Sequence, residues 1–97
     1  MGMADRIRRS LAAALAPERV ELVDESARHA GHAAMKGLQP EETHFRLLVV
    51  AEGFRGLSRV QRQRLVHKAL EAELAEGIHA LAITALTPDE PGAAREP

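Results

Sequence analysis

The run Ile-His-Ala-Leu-Ala-Ile at residues 78–83 constrains the fold of this chain more than any other stretch. It is apolar on both alternating sets of positions except at His79, which predicts a buried strand with one imidazole at its start. A helical pattern ends directly before it at Gly77, and residues 43–51 form a clear strand before that helix. Because a strand–helix–strand crossover is almost always right-handed, the two strands are expected to lie parallel.

The first part of the chain adds a helix and a short strand. Ile7, Leu11 and Leu15 repeat at four-residue spacing, which predicts an amphipathic helix that Asp5 caps and Pro17 ends. Residues 20–24 alternate between apolar and polar side chains, which is typical of a strand. We expect this strand to pair antiparallel with residues 43–51.

The long helix between the later strands has its own start and stop signals. Ser58 and Gln61 form a capping-box pattern, and Gly77 is predicted to be the left-handed residue that closes the helix. An interruption near residues 59–62 stays open at this stage. The side chains that would form its buried stripe are Val60, Val66, Leu70 and Leu74.

Together these elements predict an α+β domain of two layers in the order α-β-β-α-β. Both helices would cover one face of a three-stranded mixed sheet. The 97 residues correspond to one domain. We place that domain at residues 1–88 and predict a flexible C-terminal tail at residues 89–97, where no apolar residue is larger than Ala.

The residues best suited to bind a metal ion are the histidines. The chain has no cysteine, so a bound metal would need imidazoles, carboxylates or groups from a partner. His29 and His32 lie in a long loop, His44 opens the second strand and His79 opens the third. Neutral imidazole suits iron as well as zinc. The alternative is that these are exposed loop side chains and a structural histidine at a strand end.

A second feature is a basic cluster beside a glycine turn. Gly53-x-x-Gly56 has the spacing of the loop that clamps nucleic-acid backbones in KH domains. The ordinary interpretation is a solvated helix face, balanced by the acidic residues 71, 73 and 76, and the net charge of −1 does not demand a nucleic-acid partner. The cluster consists of Arg55, Arg59, Arg62, Arg64 and Lys68.

Other classes of function have little support. Asp24, Ser26 and His29 contain the residue types of a catalytic triad but lack a nucleophile elbow, so no enzyme is expected. No apolar segment reaches the length of a membrane span. We therefore expect a cytoplasmic protein without a membrane partner.

Five fragments in this order resemble the BolA family, and the match runs from about residue 7 to residue 88. The resemblance implies a class II KH-like fold and a monothiol glutaredoxin as partner, with which the chain would share a bridging [2Fe-2S] cluster that also uses glutathione. The fragments are Asp24-Glu25-Ser26 followed by His29, Glu42-Thr43-His44-Phe45-Arg46, Phe54-x-Gly56, Gln61-Arg62-x-Arg64-Leu65-Val66 and Ile78-His79-Ala80-Leu81-Ala82.

The resemblance also implies the ligands. By position they are His79 and His29, with His32 as the competing loop residue, and the missing cysteine makes this chain the histidine-loop type. Such a protein would act in iron–sulfur cluster trafficking or iron homeostasis. Alone it would be a monomer or weak homodimer and hold no cluster tightly.

Some family members are described as transcriptional regulators, so a KH-like nucleic-acid-binding regulator is the alternative, with DNA as partner. The chain has Arg62-Gln63-Arg64 where the family commonly has Arg-His-Arg.

Overall fold

The structure is a computed structural model and describes residues 2–25 and 44–93. Its element order confirms the predicted α-β-β-α-β arrangement, with the second helix in two pieces. The break lies at Leu70, where φ is −106° and ψ is 18°, and not near residues 59–62. The elements are α1 (Met3–Leu15), β1 (Arg19–Asp24), β2 (His44–Val50), a 3-10 turn (Glu52–Phe54), α2 (Arg59–Ala69), α3 (Glu71–Glu76) and β3 (Ala80–Leu86).

The three strands form one mixed sheet in the order β1-β2-β3, as the sequence predicts. β1 pairs antiparallel with β2, from Arg19 opposite Val50 to Asp24 opposite Phe45. β2 pairs parallel with β3, and His44 lies opposite Ala80 at the start of the ladder. Because these two strands are parallel, their starts meet at one end of the sheet.

The core lies between one face of the sheet and the helices. Phe45, Leu47 and Val49 alternate along β2 and are at most 2% exposed. They belong to one cluster with Ile7 and Leu11 of α1 and with Val66 and Leu70 at the second helical segment. This arrangement confirms the two-layer α+β fold. His44, Arg46 and Leu48 alternate with the core residues and lie on the other face of the sheet.

Some details of the sequence prediction are wrong. Val60 is 55% exposed although it was placed in the buried stripe. Six residues separate it from Val66, which puts it about 120° away around a helix axis, whereas Leu70 is only about 40° away. Gly77 has φ 173°, so it is extended and not left-handed. Asp5 is not the cap of α1: the helix starts after Gly2, whose N–H donates to the Asp5 carboxylate at 3.4 Å.

The predicted capping box is confirmed. The Ser58 hydroxyl accepts the Gln61 N–H at 3.1 Å, and the Gln61 side chain accepts the Ser58 N–H at 2.8 Å. The last strand runs from Ala80 to Leu86, later than residues 78–83, so His79 directly precedes it. Among the helices described, none is long and apolar enough to cross a membrane.

The boundary between domain and tail at residue 88 stays a prediction. Within the described part of the predicted tail, the Glu90 carboxylate accepts two hydrogen bonds from Arg62, and Ala93 is 4% exposed. The Ala93 carbonyl accepts a hydrogen bond from Arg19 on β1. Residues 94–97 lie outside the described residues.

Candidate functional site

Two imidazoles meet at the end of the sheet where β2 and β3 start. His79 is exposed and directly precedes β3, while His44 is the first residue of β2 and is half-buried. Their ring centres are 5.8 Å apart and the ring planes are tilted by 34°. His79 therefore lies where a partner can reach it, with a second imidazole beside it.

The backbone beneath both rings is held by the core. Phe45 follows His44 and is 2% exposed, and Ile78 precedes His79 and is 7% exposed. The Ile78 N–H donates to the Glu73 carbonyl at 3.3 Å, which ties the segment before β3 to the end of α3. The His44 carbonyl accepts the Glu25 N–H at 2.7 Å. The two imidazoles thus project from fixed positions.

The other predicted metal ligands, His29 and His32, lie outside the described residues. Within residues 2–25 and 44–93, no group of three or more His, Cys, Asp or Glu side chains is placed to hold a metal ion. The part of the site that can be described therefore consists of the His44–His79 pair.

The sequence alone did not predict that His44 and His79 are neighbours in the fold. A signal was present, because a predicted parallel pairing brings the starts of both strands together and each start carries a histidine. Residue types alone did not indicate which of the four candidate imidazoles would be neighbours. That choice depends on the register between β2 and β3.

Two cations of the basic cluster are neutralised within the chain. Arg55 forms ion pairs with Glu52 at 2.8 Å and with Asp89 at 3.1 Å. Its hydrogen bonds lower the pKa of Asp89, with a further contribution from the Thr87 hydroxyl. Arg62 is bound to Glu90 at 2.7 Å, and its side chain is only 13% exposed.

Arg62 also fastens the end of β3 to the start of α2. Its guanidinium donates to the Leu57 carbonyl at 3.1 Å and to the Ala85 carbonyl at 3.0 Å. The Arg62 hydrogen bond, together with the Thr87 N–H, holds the pKa of Glu90 at about 2, below the ordinary value of 4.5. A structural role thus accounts for this arginine.

The remaining three cations are free of such contacts. Arg59, Arg64 and Lys68 are exposed on α2 and have no ion-pair partner among the residues that the structure describes. A cleft of about 400 Å³ opens beside Arg59 between α2 and β3, and Arg62 and Gln63 also line it. The Gln63 amide donates to the Ile83 carbonyl at 3.1 Å on the edge strand β3.

A buried carboxylate was also missed by sequence reasoning. Glu73 was counted with the solvated acidic residues, but it is 5% exposed. Its Oε2 accepts the Ser10 hydroxyl at 3.0 Å and lies 3.6 Å from Arg6, so it joins α1 to α3. Because α3 leads directly to Ile78, this contact fixes the helix from which His79 follows.

These features define a small α+β domain with an imidazole-bearing rim at the starts of its parallel strands. A family model described as BolA-like protein matches residues 11–90. The chloroplastic protein BOLA1 of Arabidopsis thaliana is 46% identical over 87 residues, which are 90% of this chain and 54% of that protein. The chain thus spans about half the length of that relative.

Two further comparisons cover nearly all of both chains. UV-induced protein uvi31 of Schizosaccharomyces pombe is 48% identical over 92 residues, with 93% of this chain and 90% of that protein covered. The solved structure of BolA1 from Arabidopsis thaliana has a TM-score of 0.82 at 43% identity and covers 94% of this chain and 98% of that one. The chain belongs to the BolA-like family.

Proposed function

We propose that this chain is a non-enzymatic adaptor that binds a monothiol glutaredoxin and supplies imidazole ligands to a shared [2Fe-2S] cluster. His79 is one ligand and His29 is the other, with His32 as its competitor in the same loop. Such an adaptor serves iron–sulfur cluster trafficking or iron homeostasis. The observation that carries the proposal is the exposed His79 at a fixed, accessible end of the sheet.

The donor chemistry of the chain fits this role. Imidazoles can replace two thiolates on one iron of a [2Fe-2S] cluster, as they do in Rieske centres. This chain has no thiol, so the sulfur ligands would have to come from the glutaredoxin and from glutathione. A chain that supplies only part of the ligand set would not retain a cluster by itself, which agrees with its role as an adaptor.

Reconstitution tests the ligand assignment. The chain is mixed with a monothiol glutaredoxin, glutathione, iron and sulfide, and the visible absorption and circular dichroism of the mixture are recorded. His79→Ala should remove the spectrum specific to the mixed complex. His67→Ala is the matched control, because His67 is an exposed imidazole on α2 that is not among the predicted ligands. An unchanged spectrum with His79→Ala would show that the assignment is wrong.

Separate substitutions distinguish the two loop candidates. His29→Ala should alter the spectrum, and His32→Ala should leave it intact if His29 is the ligand. Binding of the apo chain to apo-glutaredoxin, measured by calorimetry, separates docking from ligation. A plain interaction domain without cofactor predicts complex formation that no histidine substitution affects.

Nucleic-acid binding is the second candidate, and the three exposed cations on α2 favour it. If Arg59, Arg64 and Lys68 each contact one phosphate of duplex DNA, the logarithm of the affinity should fall with the logarithm of salt with a slope of about −2.7. Replacing all three by Gln should abolish that dependence, and Arg9→Gln on the exposed side of α1 is the control. A gel shift that is absent at low salt, or insensitive to salt, would exclude this function.

A further inference from the structure

We propose that His44 and His79 form a binding site for a single divalent transition-metal ion, occupied by the chain alone when no glutaredoxin is bound. The site shares His79 with the proposed cluster ligands, so its regulatory consequence rests on the proposed function. The site itself rests on the placement of the two rings, which are 5.8 Å apart between centres.

The separation of the rings fits one shared ion. With metal–nitrogen bonds of about 2.0–2.1 Å, the centre of a ligating imidazole lies about 3.2 Å from the ion. Two such rings would have centres about 5.2 Å apart at a tetrahedral angle and about 6.4 Å apart in a linear arrangement. The observed 5.8 Å lies between these limits. The separation of the ring centres is therefore compatible with both imidazoles ligating one ion.

The backbone positions of both residues are set before any ion binds. His44 lies opposite Ala80 in the parallel ladder, and His79 directly precedes Ala80. Buried neighbours, Phe45 at 2% exposure and Ile78 at 7%, hold the two backbones on the core. Forming the site would therefore need no rearrangement of the backbone at these two residues.

The chemistry of the donors selects the class of ion. Two imidazole nitrogens without sulfur suit late first-row divalent cations such as Co²⁺, Ni²⁺, Cu²⁺ and Zn²⁺. No third ligating side chain joins the pair within the described part of the chain. An ion held in this way occupies His79 and excludes it from cluster ligation. The ion would thus delay cluster assembly until it is removed.

The test uses the whole chain without a histidine tag and without glutaredoxin or glutathione. Co²⁺ is titrated at pH 8 and followed by visible absorption, while broadening of the imidazole proton resonances in NMR spectra identifies the ligands. His44→Ala and His79→Ala should each weaken binding about tenfold or more, because one imidazole then binds without the high local concentration of the other. His67→Ala leaves four histidines, as the two rim variants do, and should bind Co²⁺ as the unchanged chain does.

Three results would overturn the site. The first is that His44→Ala binds Co²⁺ as tightly as the unchanged chain. The second is that His67→Ala weakens Co²⁺ binding as much as His44→Ala does. The third is that replacing His29 and His32 abolishes Co²⁺ binding although His44 and His79 are still present. Cluster assembly provides a separate readout: Zn²⁺ added beforehand should slow assembly with the unchanged chain but not with His44→Ala. If assembly fails in every mixture while Co²⁺ still binds the histidine pair, the proposed function is wrong and the ion site stands.

Discussion

Two valines on α2 allow a sharp test of which face of this helix is buried. Val66 is fully buried, whereas Val60 is 55% exposed, although both belong to the same helix. Val66→Ala and Val60→Ala remove the same two methyl groups. The two variants therefore differ in the environment that loses those groups, and each serves as the control for the other.

The expected magnitudes follow from burial. Removing two buried methyl groups from residue 66 costs about 1.6 kcal/mol of transfer free energy, and the cavity adds to that loss. Alanine returns about 0.5 kcal/mol through its higher helix propensity, which leaves a net loss of about 1.5–2 kcal/mol. At residue 60 the smaller loss of burial is offset by the same gain, so the change should lie within about 0.5 kcal/mol.

Urea unfolding followed by circular dichroism measures both free energies, and thermal unfolding gives a second estimate. For a chain near 100 residues, Val66→Ala should lower Tm by about 8–12 °C, while Val60→Ala should leave it almost unchanged. Equal losses in the two variants would refute the orientation of α2. Such a result would also remove the basis for placing Arg64 and Lys68 on the side of α2 opposite Val66.

Two further predictions concern the ends of the helical layer. Glu90 has a folded pKa of about 2 against an ordinary 4.5, so its stabilising contribution is present above pH 4.5 and is lost as the pH falls toward 2. Glu90→Gln should lower Tm at pH 7 but flatten its fall between pH 5 and pH 2.5, and an unchanged acid profile would contradict the ion pair with Arg62. Ser58→Ala removes the acceptor of the Gln61 N–H and should cost about 1 kcal/mol in urea unfolding. Ser58→Asp, which can still cap the helix, should retain most of that stability.

The fold was accessible from the sequence because its strongest signals are local. The capping pair Ser58 and Gln61 and the apolar repeat of α1 each determine their own segment. The strand–helix–strand order then leaves essentially one crossover hand. Val60 was misplaced although its spacing from Val66 already puts it about 120° away around the helix axis, and a stripe of residue types also does not fix the rotation of the helix against its sheet. That rotation is set by packing against residues far away in the chain.

The candidate site was accessible only in part for the same reason. Residue type and position indicated His79, but its pairing with His44 depends on the register of β2 and β3. Glu90 was assigned to a mobile tail because it lies in a polar segment without large apolar residues. The structure places its carboxylate on Arg62, which is 28 residues away and carries no local mark of that contact.

The two ends of the parallel pair differ in a way that favours binding at the rim. In open α/β sheets, ligands usually bind beyond the carboxyl ends of parallel strands. Here that end is occupied by the chain itself. Arg62 donates to the Ala85 carbonyl and forms an ion pair with Glu90, and Arg55 forms an ion pair with Asp89. The opposite end carries His79, exposed and backed by a buried residue. A partner that approaches the starts of the strands meets an available ligand without breaking an ion pair, whereas an anion at the carboxyl end must first displace a carboxylate.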